Sequence, residues 1–203
     1  SVTMLGKDGA RPLAGAQSVA IDAGSVFDIS LAGVPAGVYG VQVTSNTPVG
    51  AAVRLVRSAG EYPERSQALI HDQAWAQAAL PGAADSGLLA VPRASSLTSA
   101  VTVANSGAAT SVALSSVDGS WSQDVAVAKG SAVVVEVPTE VAAVRLSAAG
   151  QESASGTSRT PSGLAAATIV TAQAGGDLTG TLISTVPAQP DASVRAQRSI
   201  LLG

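Results

Sequence analysis

Residues Ser111–Pro138 read SVALSSVDGSWSQDVAVAKGSAVVVEVP. Short apolar runs alternate with polar residues, and Asp118-Gly119 and Gly130-Ser131 interrupt them. Glycine accepts a positive φ, so Asp-Gly and Gly-Ser mark tight reversals between strands. β-branched residues fit a pleated, half-buried surface. This stretch therefore predicts three successive strands joined by two turns.

The same order of landmarks occurs near the start of the chain. Ser1–Gly9, SVTMLGKDG, matches Ser111–Gly119. Gln17–Ser25, QSVAIDAGS, matches Gln123–Ser131, and Val26–Leu31 then matches Ala132–Val137 as a further strand. A proline comes next in each copy, Pro35 and Pro138, before the strands Tyr39–Thr44 and Ala142–Ser147. Arg54 or Arg159 closes the match, and Gly87–Pro92 resembles Thr181–Pro187. A domain-sized internal repeat of about 100 residues is the reading. Turn signals every 8–12 residues or so suit a β-sandwich.

The expected fold is all-β: tandem immunoglobulin-like β-sandwich modules, residues 1–80 and 81–203. Only Ser66–Leu80, SQALIHDQAWAQAAL, has helix-favouring Ala and Gln content, and it reads equally as helix or as a strand with a connector. The second unit is preceded by a strand and turn, Ala100–Gly107, that the first unit lacks. An unpaired sheet edge is a liability, so either residues upstream of Ser1 or a late strand such as Ser193–Leu202 is expected to fill that place. The chain opens at Ser1 within strand-like sequence and is read as processed, so a missing leader carries no information.

Composition narrows the function classes. Of 203 residues, 46% are hydrophobic but only 2% aromatic, so a core must come from Val, Leu, Ile and Ala. Charged residues make up 12%, well under the usual share of about 25%. Such a surface is common in extracellular β-domains. Net charge is −3 and no basic run occurs, which argues against a nucleic-acid partner. The absence of cysteine removes disulfides and thiol chemistry. Every apolar run is broken well short of the ~20 residues that span a bilayer. Nine arginines against two lysines, with much Ala and Gly, suit a high-GC bacterial source.

The run Gly37-Val38-Tyr39 through Thr44-Ser45-Asn46-Thr47-Pro48-Val49, with Val101–Asn105, Thr110–Leu114, Asp118-Gly119 and Ala23-Gly24-Ser25, carries a resemblance. It is similar to secreted or envelope-anchored β-domain proteins of high-GC Gram-positive (actinobacterial) bacteria, a family of unknown function. The resemblance implies an extracytoplasmic location, secreted or anchored through residues outside this chain. The second unit lacks the Tyr and the Thr-Ser-x-x-Pro-Val element.

Catalytic constellations are poorly met. His71 is the single histidine, its neighbour Asp72 is badly placed to orient it from behind, and no Gly-x-Ser-x-Gly elbow presents a nucleophile. His71 reads as an ordinary surface histidine. The carboxylate pairs Glu61/Glu64 and Glu136/Glu140 have no clustered aromatics beside them and read as solvated loop charges. Asp8, Asp118 and Asp177 lie in turns without a calcium-loop pattern, and Gly175–Gly180 reads as a hairpin rather than a phosphate loop. No catalytic, metal or cofactor residue is assigned and no cofactor is expected. Ligand contact falls to Trp75, Trp121 and Tyr62, with the alternative that Trp121 folds back over the core.

The leading expectation is a non-catalytic structural or interaction module of the cell envelope or secreted space, contacting an envelope protein or a wall polysaccharide. A carbohydrate-binding module is the alternative, resting on the same three aromatics. A Ser/His hydrolase using His71 is the third.

Overall fold

The architecture is known from a computed structural model, which describes residues 1–61, 69–79, 84–149, 162–173 and 181–190. These residues are all-β, in four antiparallel sheets with no helix.

Two sheets form a sandwich. One has five strands: β6 (Ser86–Ala90), β8 (Thr110–Ser116), β9 (Ser122–Val127), β11 (Ala143–Ala148) and β14 (Gln189–Pro190), ordered β14-β6-β11-β8-β9. The other has four: β7 (Leu97–Asn105), β10 (Ser131–Val135), β12 (Leu164–Gln173) and β13 (Thr181–Pro187), ordered β10-β7-β12-β13. Alternate residues of each strand point inward and meet between the sheets. Val101, Val103, Val135 and Leu164 face Leu89, Val112, Leu114, Val144 and Leu146 in one apolar cluster. This core is thin and aliphatic, as the scarcity of aromatics requires.

Strands β7 to β11 are wired like the B, C, C′, E and F strands of an immunoglobulin domain. The outer strands depart from that order. The earlier strand β6 lies beside β11, and the later strand β12 lies beside β7, so the places of the first and last strands are exchanged. Thr168 ties the layers together, its hydroxyl donating to the Ala90 carbonyl at 2.7 Å. Gly87–Pro92 and Thr181–Pro187, matched in sequence, belong to different sheets of this one sandwich.

The N-terminal residues build a smaller sheet from β1 (Val2–Gly6), β2 (Gly9–Pro12) and β3 (Gly40–Val43), ordered β2-β1-β3. It rests on the outer face of the four-stranded sheet, where Leu5, Ala104 and Ala132 form a small buried cluster. A Cβ built on Gly40 would fall into the Ala104 methyl, so glycine sets how closely β3 approaches β7. Val101 and Val103 of β7 thus face the sandwich core while Thr102 and Ala104 alternate to the other face, Ala104 against the small sheet, and all four are buried.

The two sequence-matched stretches diverge after the first turn. The expected strands at 17–21 and 26–31 do not form, whereas their counterparts are β9 and β10. The cause lies in β1. Asp8 precedes Gln17 by nine residues, but Asp118 precedes Gln123 by five. The extra length lets Gly9–Pro12 pair with β1, and the Val2 N–H then donates to the Ala16 carbonyl at 2.9 Å. The hydrogen bonds that β8 gives β9 are already occupied on β1. Residues 17–39 instead lie across the sheet, placing Val19, Ile29, Leu31 and Val34 against Val2, Leu13 and Val41. The expectation for Ser193–Leu202 falls outside the described residues.

The remaining sheet is a hairpin of β4 (Ala52–Glu61) and β5 (Leu69–Gln77). Of the stretch open to a helical reading, Leu69–Gln77 is therefore a strand. Asp72, Ala74 and Ala76 face inward while His71, Gln73, Trp75 and Gln77 are exposed, a strict period of two. The hairpin is fastened to edge strand β13. Asp72 Oδ2 accepts from the Ile183 N–H at 2.6 Å, and the Thr185 hydroxyl donates to the Trp75 carbonyl at 3.0 Å.

Candidate functional site

The hairpin has one face committed to the protein and one turned to solvent. Its register sets Arg54 opposite Trp75, Val56 opposite Gln73 and Ala52 opposite Gln77. Side chains directly across a ladder touch, and the Arg54 guanidinium carbon lies 5.8 Å from the Trp75 ring centre. That is within reach of cation–π attraction, and Arg54 holds the indole without removing it from water. Trp75 remains 55% exposed and Val56 51%. An indole flanked along its strand by Gln73 and Gln77, with an arginine across from it, offers a flat apolar surface bordered by planar hydrogen-bonding groups. Asp72 belongs to the other face and is occupied by β13, directed away from its sequence neighbour His71, which is exposed.

A shallow groove of about 410 Å³ runs beside the hairpin, bordered by Gln73, Leu97, Ala172, Leu182 and Ser184. It is continuous with the Trp75 face through Gln73. It is open and mostly aliphatic, and its one carboxylate, Asp72, is already hydrogen-bonded.

Trp121 sits elsewhere and differs in kind. It ends the β8–β9 loop and packs against the sandwich core. Its N–H donates to the Ser116 hydroxyl at 2.9 Å, and its carbonyl accepts from the Ser116 N–H at 2.8 Å. The loop is stiffened by Asp118, whose carboxylate takes hydrogen bonds from the Ser116 hydroxyl and from the N–H and hydroxyl of Ser120. These lower its pKa from 3.8 to about 2. Trp121 is therefore a core lid and not a free anchor. Tyr62 lies outside the described residues. Of the two candidate aromatics among the described residues, Trp75 has the open ring.

Glu136 and Glu140 are exposed on the β10–β11 connection, which Arg93 clasps by donating to the carbonyls of Val137, Pro138 and Val141. Glu61 and Glu64 are not described as side chains. Among the described residues no three His, Cys, Asp or Glu side chains gather as a metal site. No described helix is long and apolar enough to cross a membrane. Sequence reasoning missed Arg54 as a partner of Trp75; the Val53–Arg57 alternation signalled its exposed face, but the cross-strand register is not contained in that pattern.

No curated protein and no solved structure matches this chain. Residues 1–138 match the family described as Family of unknown function (DUF5719), a span that runs from β1 through β10. With well over half of its 203 residues inside that match, the chain belongs to this family.

Proposed function

We propose that the chain is a non-catalytic interaction module of the bacterial cell envelope or secreted space, and that it makes contact through the outer face of the β4–β5 hairpin. The observation that carries this reading is Trp75, a large apolar ring 55% exposed on a regular strand and braced by Arg54. Exposing an indole forgoes about 1.5–3 kcal/mol of burial. Tryptophan and arginine are also the residues most enriched where binding energy concentrates. The low charge content and the family resemblance support the extracytoplasmic location.

A polysaccharide partner is favoured over a protein by the row Gln73, Trp75, Gln77. A sugar ring presents an apolar face suited to the indole, and its hydroxyls suit the flanking amides.

Co-sedimentation of the purified chain with isolated high-GC Gram-positive cell walls, before and after protease stripping, tests both statements. The expected result is sedimentation that survives stripping and falls at least tenfold for Trp75→Ala. That substitution should cost no more than about 1 kcal/mol of stability, the scale of an exposed cation–π contact, and leave the chain folded. Sedimentation lost on stripping would transfer the contact to a protein. Equal sedimentation of wild type and Trp75→Ala would remove the face from the account.

A further inference from the structure

The outer face of the β4–β5 hairpin carries no acid among its described residues. Arg54 and Val56 of β4 stand across from Trp75 and Gln73 of β5, and His71 and Gln77 continue the β5 row. This runs against the composition, because Asp and Glu outnumber Lys and Arg in the chain by 14 to 11. Asp72, the acid next to the row in sequence, is turned to β13 and accepts from the Ile183 N–H. Arg57, the next charge along β4, is also positive and is exposed. A face without acids on an acidic protein complements an anion.

Arg54 decides which anion. Its side chain is exposed, and its guanidinium carbon lies 5.8 Å from the Trp75 ring centre. The indole holds the guanidinium in place, so less side-chain freedom remains to be lost on binding. A guanidinium presents a planar fork of N–H donors that meets a carboxylate with two parallel hydrogen bonds. A neutral glycan would use the indole and the amides of Gln73 and Gln77, and would leave that fork to water. A uronic acid uses all of them from one residue. Its pyranose face lies on the indole, and the carboxylate borne by the same ring enters the fork. In a phosphodiester polymer the charge stands between the sugars, away from the stacked ring.

We propose that the Trp75 face selects acidic polysaccharide, stacking a uronate ring on Trp75 and pairing its carboxylate with Arg54. This rests on the reading of that face as a polysaccharide contact. Trp75 supplies the platform, and Arg54 supplies the choice of charged over neutral sugar.

The test is binding of the full chain to labelled, peptide-free polysaccharide from protease-stripped walls, before and after carboxyl reduction, read by fluorescence anisotropy. Reduction turns each uronate into its neutral hexose, keeps ring and linkage, and leaves phosphodiesters charged. The expected result is a loss of affinity of at least about tenfold on reduction, the scale of one charged hydrogen-bonded pair. Arg54→Gln should lose as much with the native polymer and become indifferent to reduction. Arg54→Lys should recover only part, since it keeps the charge but not the fork. Equal affinity for native and reduced polymer, abolished in both by Trp75→Ala, would overturn the uronate and leave the polysaccharide reading standing. So would binding that survives reduction but is lost when hydrogen fluoride cleaves the phosphodiesters. An Arg54→Gln chain that still prefers the native polymer would overturn the pairing. No binding to the native polymer, or binding independent of Trp75, would instead overturn the reading of the face itself, and this proposal with it.

Discussion

Asn105 is wholly buried at the end of β7, yet its amide is fully engaged. Its Nδ2 donates to the carbonyls of Ala108 and Val127 at 2.7 and 3.1 Å, and its Oδ1 accepts from the Gly107 N–H at 2.9 Å. One side chain thus closes the β7–β8 turn and anchors the end of β9. Removing it leaves the buried Val127 carbonyl without its donor and opens two half-buried bonds of the turn. Asn105→Ala is expected to cost about 2–4 kcal/mol, read as a lowered urea midpoint with an unchanged slope; a loss under about 1 kcal/mol would contradict this role. Asp118 makes the pH counterpart. Its folded pKa is depressed, so the loop gains fully from the carboxylate above its ordinary value of 3.8 and loses that gain as pH falls through about 2. A carbon-13 NMR titration of the Asp118 carboxyl should show a midpoint near 2, and a midpoint at the ordinary value would mean that the Ser116 and Ser120 bonds do not persist in solution.

At the scale of elements, the small N-terminal sheet and the sandwich meet where Gly40 passes over Ala104. Gly40→Ala should destabilise by about 1–3 kcal/mol through overpacking. A double-mutant cycle with Ala104→Gly should recover part of that loss, and strict additivity would show that the two sheets do not press together at this point. The strands β7, β8, β9, β10 and β11 were legible because β-branched residues alternate there and Asp-Gly, Gly-Ser or Pro separate them. Strand β5 was obscured because its inward positions, Ala74 and Ala76, are small helix formers. Residues 17–31 carry the strand pattern without forming strands. Their alternation is real, since Ile29 and Leu31 do point inward, but the four extra residues before Gln17 hand the β1 edge to Gly9–Ala16. A periodic pattern reports which side chains are buried; a strand also needs a partner, and partners are set by distant parts of the chain.

At the scale of the whole molecule, the chemistry-bearing residues among those described are few and the fold disperses them. Trp121 closes a core, Asp72 binds a neighbouring strand, and Arg93 fastens a loop. Among the described residues, the tryptophan ring left open on a regular strand is that of Trp75. The poverty in Cys, His and aromatics was legible in composition, and so was the candidacy of Trp75. Its bracing by Arg54 was not, because it depends on the Arg54↔Trp75 register across residues well separated in sequence. The most direct measurement uses Trp121→Phe, which leaves Trp75 as the single tryptophan fluorophore, titrated with solubilised, protease-stripped wall polysaccharide. The account predicts a saturable blue shift and protection from acrylamide quenching as the exposed indole is covered. Emission that stays unchanged while the protein nevertheless binds the polymer would contradict it.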